Sequence, residues 1–134
     1  MQWRPITVAA LAGATLALAA ASASAMAMHT EFGAHLSGMG EHGTVNLHVT
    51  SGKLCWAFDI PTVKGPTRAT IHTGASGPVL LELGMDYTKS GCAKESMMTL
   101  EHLEGKPGAY SVWVDKKAHP GEVRGTLRSG MVSM

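Results

Sequence analysis

Two alternating segments joined by a tight turn constrain this chain more than any other feature. Residues 44–50 alternate apolar and polar side chains, which is the period of two expected of a half-buried strand. A serine-glycine pair at 51–52 is a hairpin turn, and residues 53–60 return with Trp56 and Phe58 on the apolar side. The two segments therefore predict an antiparallel hairpin with one face in the core.

The same alternation recurs along the chain between glycine- and proline-rich turns. The period changes only over residues 96–104, where Met97 and Leu100 share one side of a predicted short helix that Gly105 and Pro107 end. Residues 85–92 are polar and predict a surface loop. The predicted strands are 32–36, 44–50, 53–60, 68–73, 79–83, 110–115 and 122–128. This pattern predicts an all-β fold, an antiparallel β-sandwich of immunoglobulin-like or Greek-key type, with about seven strands and one short helix.

The first residues have the organisation of a secretory signal peptide. Arg4 precedes a run of small and apolar residues over 6–21, and the sequence Ala-Ser-Ala follows, ending at Ala25. The run is shorter and richer in alanine than a membrane anchor, which needs roughly 20 apolar residues. We predict a signal peptide over 1–25, a single domain over 26–134, and a protein secreted to the extracellular space or the cell envelope without a membrane anchor.

The charge balance argues against two classes of partner. Lysine and arginine number 11 against 10 aspartate and glutamate residues, with no concentrated basic stretch. Nucleic-acid binding normally requires a strongly basic patch, and an anionic membrane surface requires clustered lysine and arginine. We therefore predict neither nucleic acid nor a membrane surface as a partner.

Cys55 and Cys92 are the two cysteines of the chain. In an exported domain of this size an intramolecular disulfide between them is the expected state, because the compartment is oxidising. Cys55 lies on the face of its strand opposite Trp56, where the predicted loop around Cys92 would cover it. The alternative, a reactive thiol, requires an activating base that the neighbouring sequence does not supply.

Two segments resemble the signatures of the chordin-type domain (CHRD) family. The first, residues 69–83, is an alternating run, a small-residue turn and a second apolar run, and it contains an Ile-His-x-Gly motif. The second, residues 119–127, reads His-Pro-Gly-Glu-Val-Arg-Gly-Thr-Leu. The resemblance implies that these segments carry the family signature, at His72, Gly74, Gly77, His119, Pro120, Gly121, Arg124 and Gly125. It also supports the Cys55–Cys92 disulfide, because exported bacterial members often carry cysteines at both places.

The departures from the family pattern concern histidines. Family members commonly read Ala-His-Ile-His and Val-Asn-Val-His, whereas this chain has Thr70 before Ile71, and Trp113 and Asp115 around Val114. The closing glutamine of the family is replaced by Thr126. We therefore expect no function here that depends on the full histidine set of the relatives.

A metal site is the alternative function that the histidines suggest. His72, His119 and Asp115 would form a mixed nitrogen and oxygen ligand set for zinc or copper if the fold brings them together. The competing interpretation is that His72 forms hydrogen bonds within the sheet and that His119 shapes a turn. We predict no bound metal and no cofactor, and keep the Cu/Zn or redox protein as the alternative.

The sequence contains no Gly-x-Ser-x-Gly motif and no cysteine beside a positioned histidine, so we predict no enzyme activity and no catalytic residues. Glu122 and Arg124 point outward by alternation, and we expect them to form cross-strand pairs with Arg68 or Glu82. The resemblance points to domains that in animals occur in a growth-factor-binding protein. We therefore expect a secreted binding or structural module whose partner is an unknown protein or surface ligand.

Overall fold

The alternating segments form antiparallel strands, and the computed structural model describes them over residues 30–117 and 119–133. The predicted signal peptide lies outside these residues. The strands of the described part are β1 (Glu31–Gly38), β2 (Glu41–Thr50), β3 (Lys53–Asp59), β4 (Pro66–Thr73), β5 (Val79–Glu82), β6 (Ser90–Lys94), β7 (Tyr110–Lys116), β8 (His119–Thr126) and β9 (Arg128–Ser129). The helix α1 (Met97–Gly105) and a 3-10 turn (Pro107–Ala109) lie between β6 and β7.

All the strands belong to one curled sheet. Their order is β5-β4-β7-β8-β1-β2-β3-β6, and β9 pairs with the N-terminal part of β1, at Phe32 and Gly33. The all-β prediction is confirmed, but a sandwich of two separate sheets is not. The reason is that β1 pairs with both β2 and β8, so the strands form one continuous hydrogen-bonded path. The twist natural to such a sheet curls it around the core.

The concave face of the sheet forms the core. The predicted inward residues Trp56 and Phe58 are both buried, which confirms the face assignment of β3. The core also takes alternate residues of the other long strands, including Phe32, Leu36, Val45, Leu47, Ile71, Val112, Val114 and Val123. The opposite face of β4, β7 and β8 is left for polar side chains.

The helix is confirmed at Met97–Gly105, one residue later than predicted at each end. Ser96 caps its N-terminus, because the Ser96 hydroxyl accepts a hydrogen bond from the Thr99 amide at 3.1 Å. Leu100 and Leu103 are buried against the sheet. Met97 was predicted on that side but is 70% exposed, because it is the first residue of the helix and lies beyond the edge of the core.

Residues 85–92 are not the continuous loop that the sequence predicts. Ser90–Lys94 form the edge strand β6, which pairs with β3. None of its side chains is fully buried, and its sequence, Ser-Gly-Cys-Ala-Lys, lacks the apolar alternation from which a strand is predicted. Gly91 lets it approach the core, since a Cβ there would lie 2.7 Å from Cζ2 of Trp56.

Cys55 and Cys92 stand directly opposite each other in the β3–β6 register and form a disulfide. The predicted disulfide is confirmed, and neither cysteine is free. Its geometry differs from the prediction, because Cys92 lies beside Cys55 in the neighbouring strand instead of in a covering loop.

An ion pair ties the β1–β2 turn to the far end of β7. Lys116 donates to the Glu41 carboxylate, and the Lys64 amide donates to its second oxygen at 3.1 Å. These hydrogen bonds, that of Lys116 first, lower the pKa of Glu41 below its ordinary value of 4.5. Glu41 therefore stabilises the fold in its ionised form.

We expect this contribution to disappear in acid. The pKa of Glu41 is lower in the folded than in the unfolded chain, so the stabilisation is complete above the unfolded pKa and is lost as the pH falls through the folded pKa. Thermal unfolding from about pH 6 to about pH 3 should show a smaller drop in Tm for Glu41→Gln than for the wild type. Glu101→Gln, at an exposed helix position, is the control and should keep the wild-type drop. Identical drops in all three proteins would contradict this assignment.

Candidate functional site

Trp113 is at the centre of the polar face. Alternation along β7 buries Val112 and Val114 and directs Trp113 to the other side of the sheet. In the register of the neighbouring strands, Trp113 stands opposite Thr70 of β4 and Arg124 of β8. Side chains from β4, β7 and β8 therefore lie next to one another on the polar face.

The Trp113 indole is held on both faces and at its edge. The His72 ring stacks on it with 3.6 Å between ring centroids and 11° between planes. The Arg124 guanidinium carbon lies 4.4 Å from the Trp113 ring centroid, a cation–π contact. The indole N–H donates to Ser111 Oγ at 2.9 Å, and the Ser111 hydroxyl donates to the Gly74 carbonyl at 2.7 Å. The aromatic side chain is thus fixed in one orientation.

The hydrogen bonds of His72 define where its proton lies. Nδ1 is 2.9 Å from the Gly77 carbonyl oxygen, which only accepts, so Nδ1 donates. Nε2 is 3.0 Å from the Thr70 hydroxyl, from which the neutral imidazole accepts. A hydroxyl, an imidazole and an orienting acceptor in this order also occur in nucleophilic sites, but Thr70 is 1% exposed. The arrangement therefore fixes the imidazole against Trp113.

The structure does not assemble the alternative metal site. Both ring nitrogens of His72 are engaged, and Asp115 Oδ1 accepts from the Gly121 amide at 2.6 Å. His119 is exposed at the first position of β8, opposite Lys116. Over residues 30–117 and 119–133, no group of three or more His, Cys, Asp or Glu side chains is placed to hold a metal ion.

The two segments that carry the family resemblance meet at Trp113. The β4–β5 segment contributes His72, together with the carbonyls of Gly74 and Gly77. The β8 segment, which begins at His119-Pro120, contributes Arg124 and Gly121. Gly121 has a φ of 67°, and a Cβ there would lie 2.6 Å from Cε3 of Trp113, so only glycine fits against the indole at this position.

Two open cavities flank the Trp113–Arg124 pair. The larger, about 380 Å³, is lined by Ala75, Ser76, Ser111, Arg124, Gly125 and Thr126. The smaller, about 160 Å³, is lined by Arg68, Thr70, His72, Val79, Trp113, Asp115 and Gly121. The larger cavity combines a guanidinium with hydroxyl groups and is the site best equipped to bind a polar ligand.

The expected cross-strand pairs of Arg124 and Glu122 do not form with the partners that the sequence suggests. Arg68 pairs with Glu82 at 3.0 Å, and β7 separates β4 from β8. Arg124 therefore stacks on Trp113 instead of pairing with Glu82. The sequence feature that could have indicated this contact is Trp113, a large aromatic residue on the polar side of an alternating strand.

An all-β domain with a polar groove on the outer side of its sheet is the class that these observations define. Comparison with known protein families matches residues 10–127 to the CHRD domain. The match spans most of the chain, and the protein belongs to the CHRD domain family. No curated protein and no solved structure matches the chain.

The described part of the chain contains no helix with the length and apolar character needed to cross a membrane.

Proposed function

We propose that this CHRD-domain protein is an exported, non-catalytic module that binds its partner through the polar face around Trp113 and Arg124. One observation carries the proposal. Two segments that are far apart in the sequence pack around Trp113, and they leave an open cavity lined by Arg124 and by the hydroxyls of Ser76 and Thr126.

Export is supported by the residues at the start of the chain and by the disulfide. Arg4, the apolar run over 6–21 and the Ala-Ser-Ala sequence ending at Ala25 have the order of a signal peptide. A disulfide is favoured by an oxidising compartment. Expression of the full chain in a bacterial host, followed by mass measurement of the exported protein, should show that residues 1–25 have been removed. Full-length protein confined to the cytoplasm would contradict export.

The absence of catalysis is supported by the position of Thr70. Its hydroxyl has a base within hydrogen-bond distance and the residue lines the smaller cavity, but Thr70 is 1% exposed, which leaves its oxygen little surface for a substrate to contact. We expect no turnover when the purified protein is screened against esters, peptides and glycosides. Turnover that is lost on His72→Ala would overturn this part of the proposal.

The binding role is tested by closing the larger cavity with a bulky side chain. Thr126 lies at its edge on β8 and is exposed, so Thr126→Trp blocks the cavity whatever the chemistry of the ligand. Tryptophan is well tolerated in strands. Thr50→Trp, at an exposed position at the end of β2, is the matched control.

The assay is co-sedimentation of the purified protein with washed cell-envelope fragments of the organism that produces it. We expect the wild type and Thr50→Trp to sediment equally, and Thr126→Trp to sediment at least fivefold less. Equal sedimentation of all three proteins would show that the cavity is not the binding site.

A further inference from the structure

The polar face continues from Trp113 across β8, β1 and β2. Trp113 stands opposite Arg124, Arg124 opposite Ser37, and Ser37 opposite His42. Neighbouring strands lie about 4.8 Å apart, so Arg124 and His42 are separated by roughly 10 Å across the sheet. Arg124, Ser37 and His42 are all exposed.

A second row of polar side chains runs beside the first. The register that places Gly33 opposite Arg128 and Ser37 opposite Arg124 also places His35 opposite Thr126. Arg128 Nη2 lies 3.4 Å from His35 Nε2, and a guanidinium only donates, so His35 accepts through Nε2. We call the surface formed by Arg124, Arg128, His35, His42 and the hydroxyls between them the basic strip.

The arginines of the basic strip have no carboxylate partner in the described chain. The ion pairs among residues 30–117 and 119–133 are Arg68–Glu82 and Lys116–Glu41, and neither includes Arg124 or Arg128. Glu122 is two residues before Arg124 in β8, and it belongs to neither of these ion pairs. Asp115 accepts a hydrogen bond from the Gly121 amide. The strip therefore presents guanidinium N–H groups without an internal anion to bind.

We propose that the basic strip binds the carboxylate or sulfate groups of an acidic polysaccharide, with Arg124 as the main contact. The inference rests on the proposed function and names the ligand of the same face. Arg124 uses one N–H on the Ala75 carbonyl, at 3.3 Å, and its contact with Trp113 restrains the guanidinium plane. Its other N–H groups remain for the bidentate contact that a planar or tetrahedral oxyanion makes with arginine.

The neighbouring groups favour a sugar over other polyanions. The hydroxyls of Ser37, Ser76 and Thr126 are exposed along the strip and suit the hydroxyls of a sugar ring. A single-stranded nucleic acid is bound by base stacking on exposed aromatic rings, and the Trp113 ring is already covered by His72 and Arg124. A duplex is bound by many lysine and arginine contacts to phosphates, and the strip carries two arginines. Anchoring in lipid would depend on apolar side chains such as Met39, which is 51% exposed in the β1–β2 turn beside the strip, and the strip itself has only polar side chains.

The test measures binding of the purified exported protein to four probes by isothermal calorimetry. Alginate carries carboxylates, heparin carries sulfates as well, dextran is neutral, and poly-glutamate represents an acidic peptide. We expect binding to alginate, heparin or both, none to dextran, and weaker binding to poly-glutamate. Preference between alginate and heparin identifies the source of the oxyanion.

Three variants assign the contact. Arg124→Ala should weaken binding at least tenfold, and Arg124→Lys should recover only part of the loss, because a lysine ammonium cannot make the bidentate contact. Lys94→Ala removes the same charge from the distant edge strand β6 and should change binding less than twofold.

The outcomes separate this inference from the proposed function. Equal losses for Arg124→Ala and Lys94→Ala would reduce the effect to general charge attraction and overturn the inference. Poly-glutamate binding as tightly as alginate and heparin would overturn the polysaccharide assignment. Absence of binding to both acidic polysaccharides would also overturn it, and the sedimentation assay with Thr126→Trp would still decide whether the face binds another ligand.

Discussion

Replacing Gly125 by alanine should lower the free energy of unfolding by about 3 kcal/mol or more, which is a large fraction of the whole stability of a small domain. An alanine Cβ at this position would lie 1.9 Å from the carbonyl oxygen of His35 and 2.9 Å from its carbonyl carbon. Both are backbone atoms, so no side-chain rotation relieves the clash. The strands β8 and β1 would have to separate, and their pairing joins the two halves of the sheet.

Urea unfolding monitored by circular dichroism measures the effect. Gly105→Ala is the matched control, because a Cβ at the end of α1 has no heavy atom within 4 Å, and alanine is favoured over glycine in a helix. We expect Gly105→Ala to be neutral or slightly stabilising. A Gly125→Ala protein as stable as this control would mean that β8 and β1 are not in close contact.

Gly125 also shows how far the sequence predicts the fold. The sequence pattern predicts seven of the strands, and alternation predicts the buried side of β2, β3, β7 and β8, because that information is local. It does not predict that β8 pairs with β1, because strand order depends on contacts between distant residues. A glycine within a strand indicates a close backbone approach or a bulge, and Gly125 is such an approach, but the sequence does not identify the strand that it approaches.

The same limit applies to the candidate site. Alternation correctly places Trp113 on the polar face, yet its contacts with His72 and Arg124 follow from the position of β7 between β4 and β8. The expected pairing of Arg124 with Glu82 was wrong for this reason. The sequence does not predict the edge strand β6 for a different reason. Its residues are small or polar, so it shows no apolar alternation, and its position is specified by pairing with β3 and by the disulfide.

Removing the disulfide should have an effect of similar size through a different mechanism. The double variant Cys55→Ala/Cys92→Ala lacks the cross-link between two positions that are 37 residues apart in the sequence. Its unfolded chain gains entropy, which on the chain-entropy model lowers the free energy of unfolding by about 4 kcal/mol. In the folded protein, the bond connects the edge strand β6 to β3 at directly opposed positions. Loss of the bond should therefore favour local opening of β6 before the rest of the sheet.

Urea unfolding and amide hydrogen exchange separate the two consequences. The reduced wild type should have the same midpoint as the double variant, and the oxidised wild type a much higher one. In the variant, amides of β6 should lose protection first, whereas β7 and β8 exchange only through global unfolding, because each is paired on both sides. If the disulfide were needed to hold the polar face around Trp113 in place, its removal would weaken the binding of alginate or heparin. We expect that binding to be unchanged while the protein is folded, because the basic strip lies on β8, β9, β1 and β2 and the disulfide on β3 and β6.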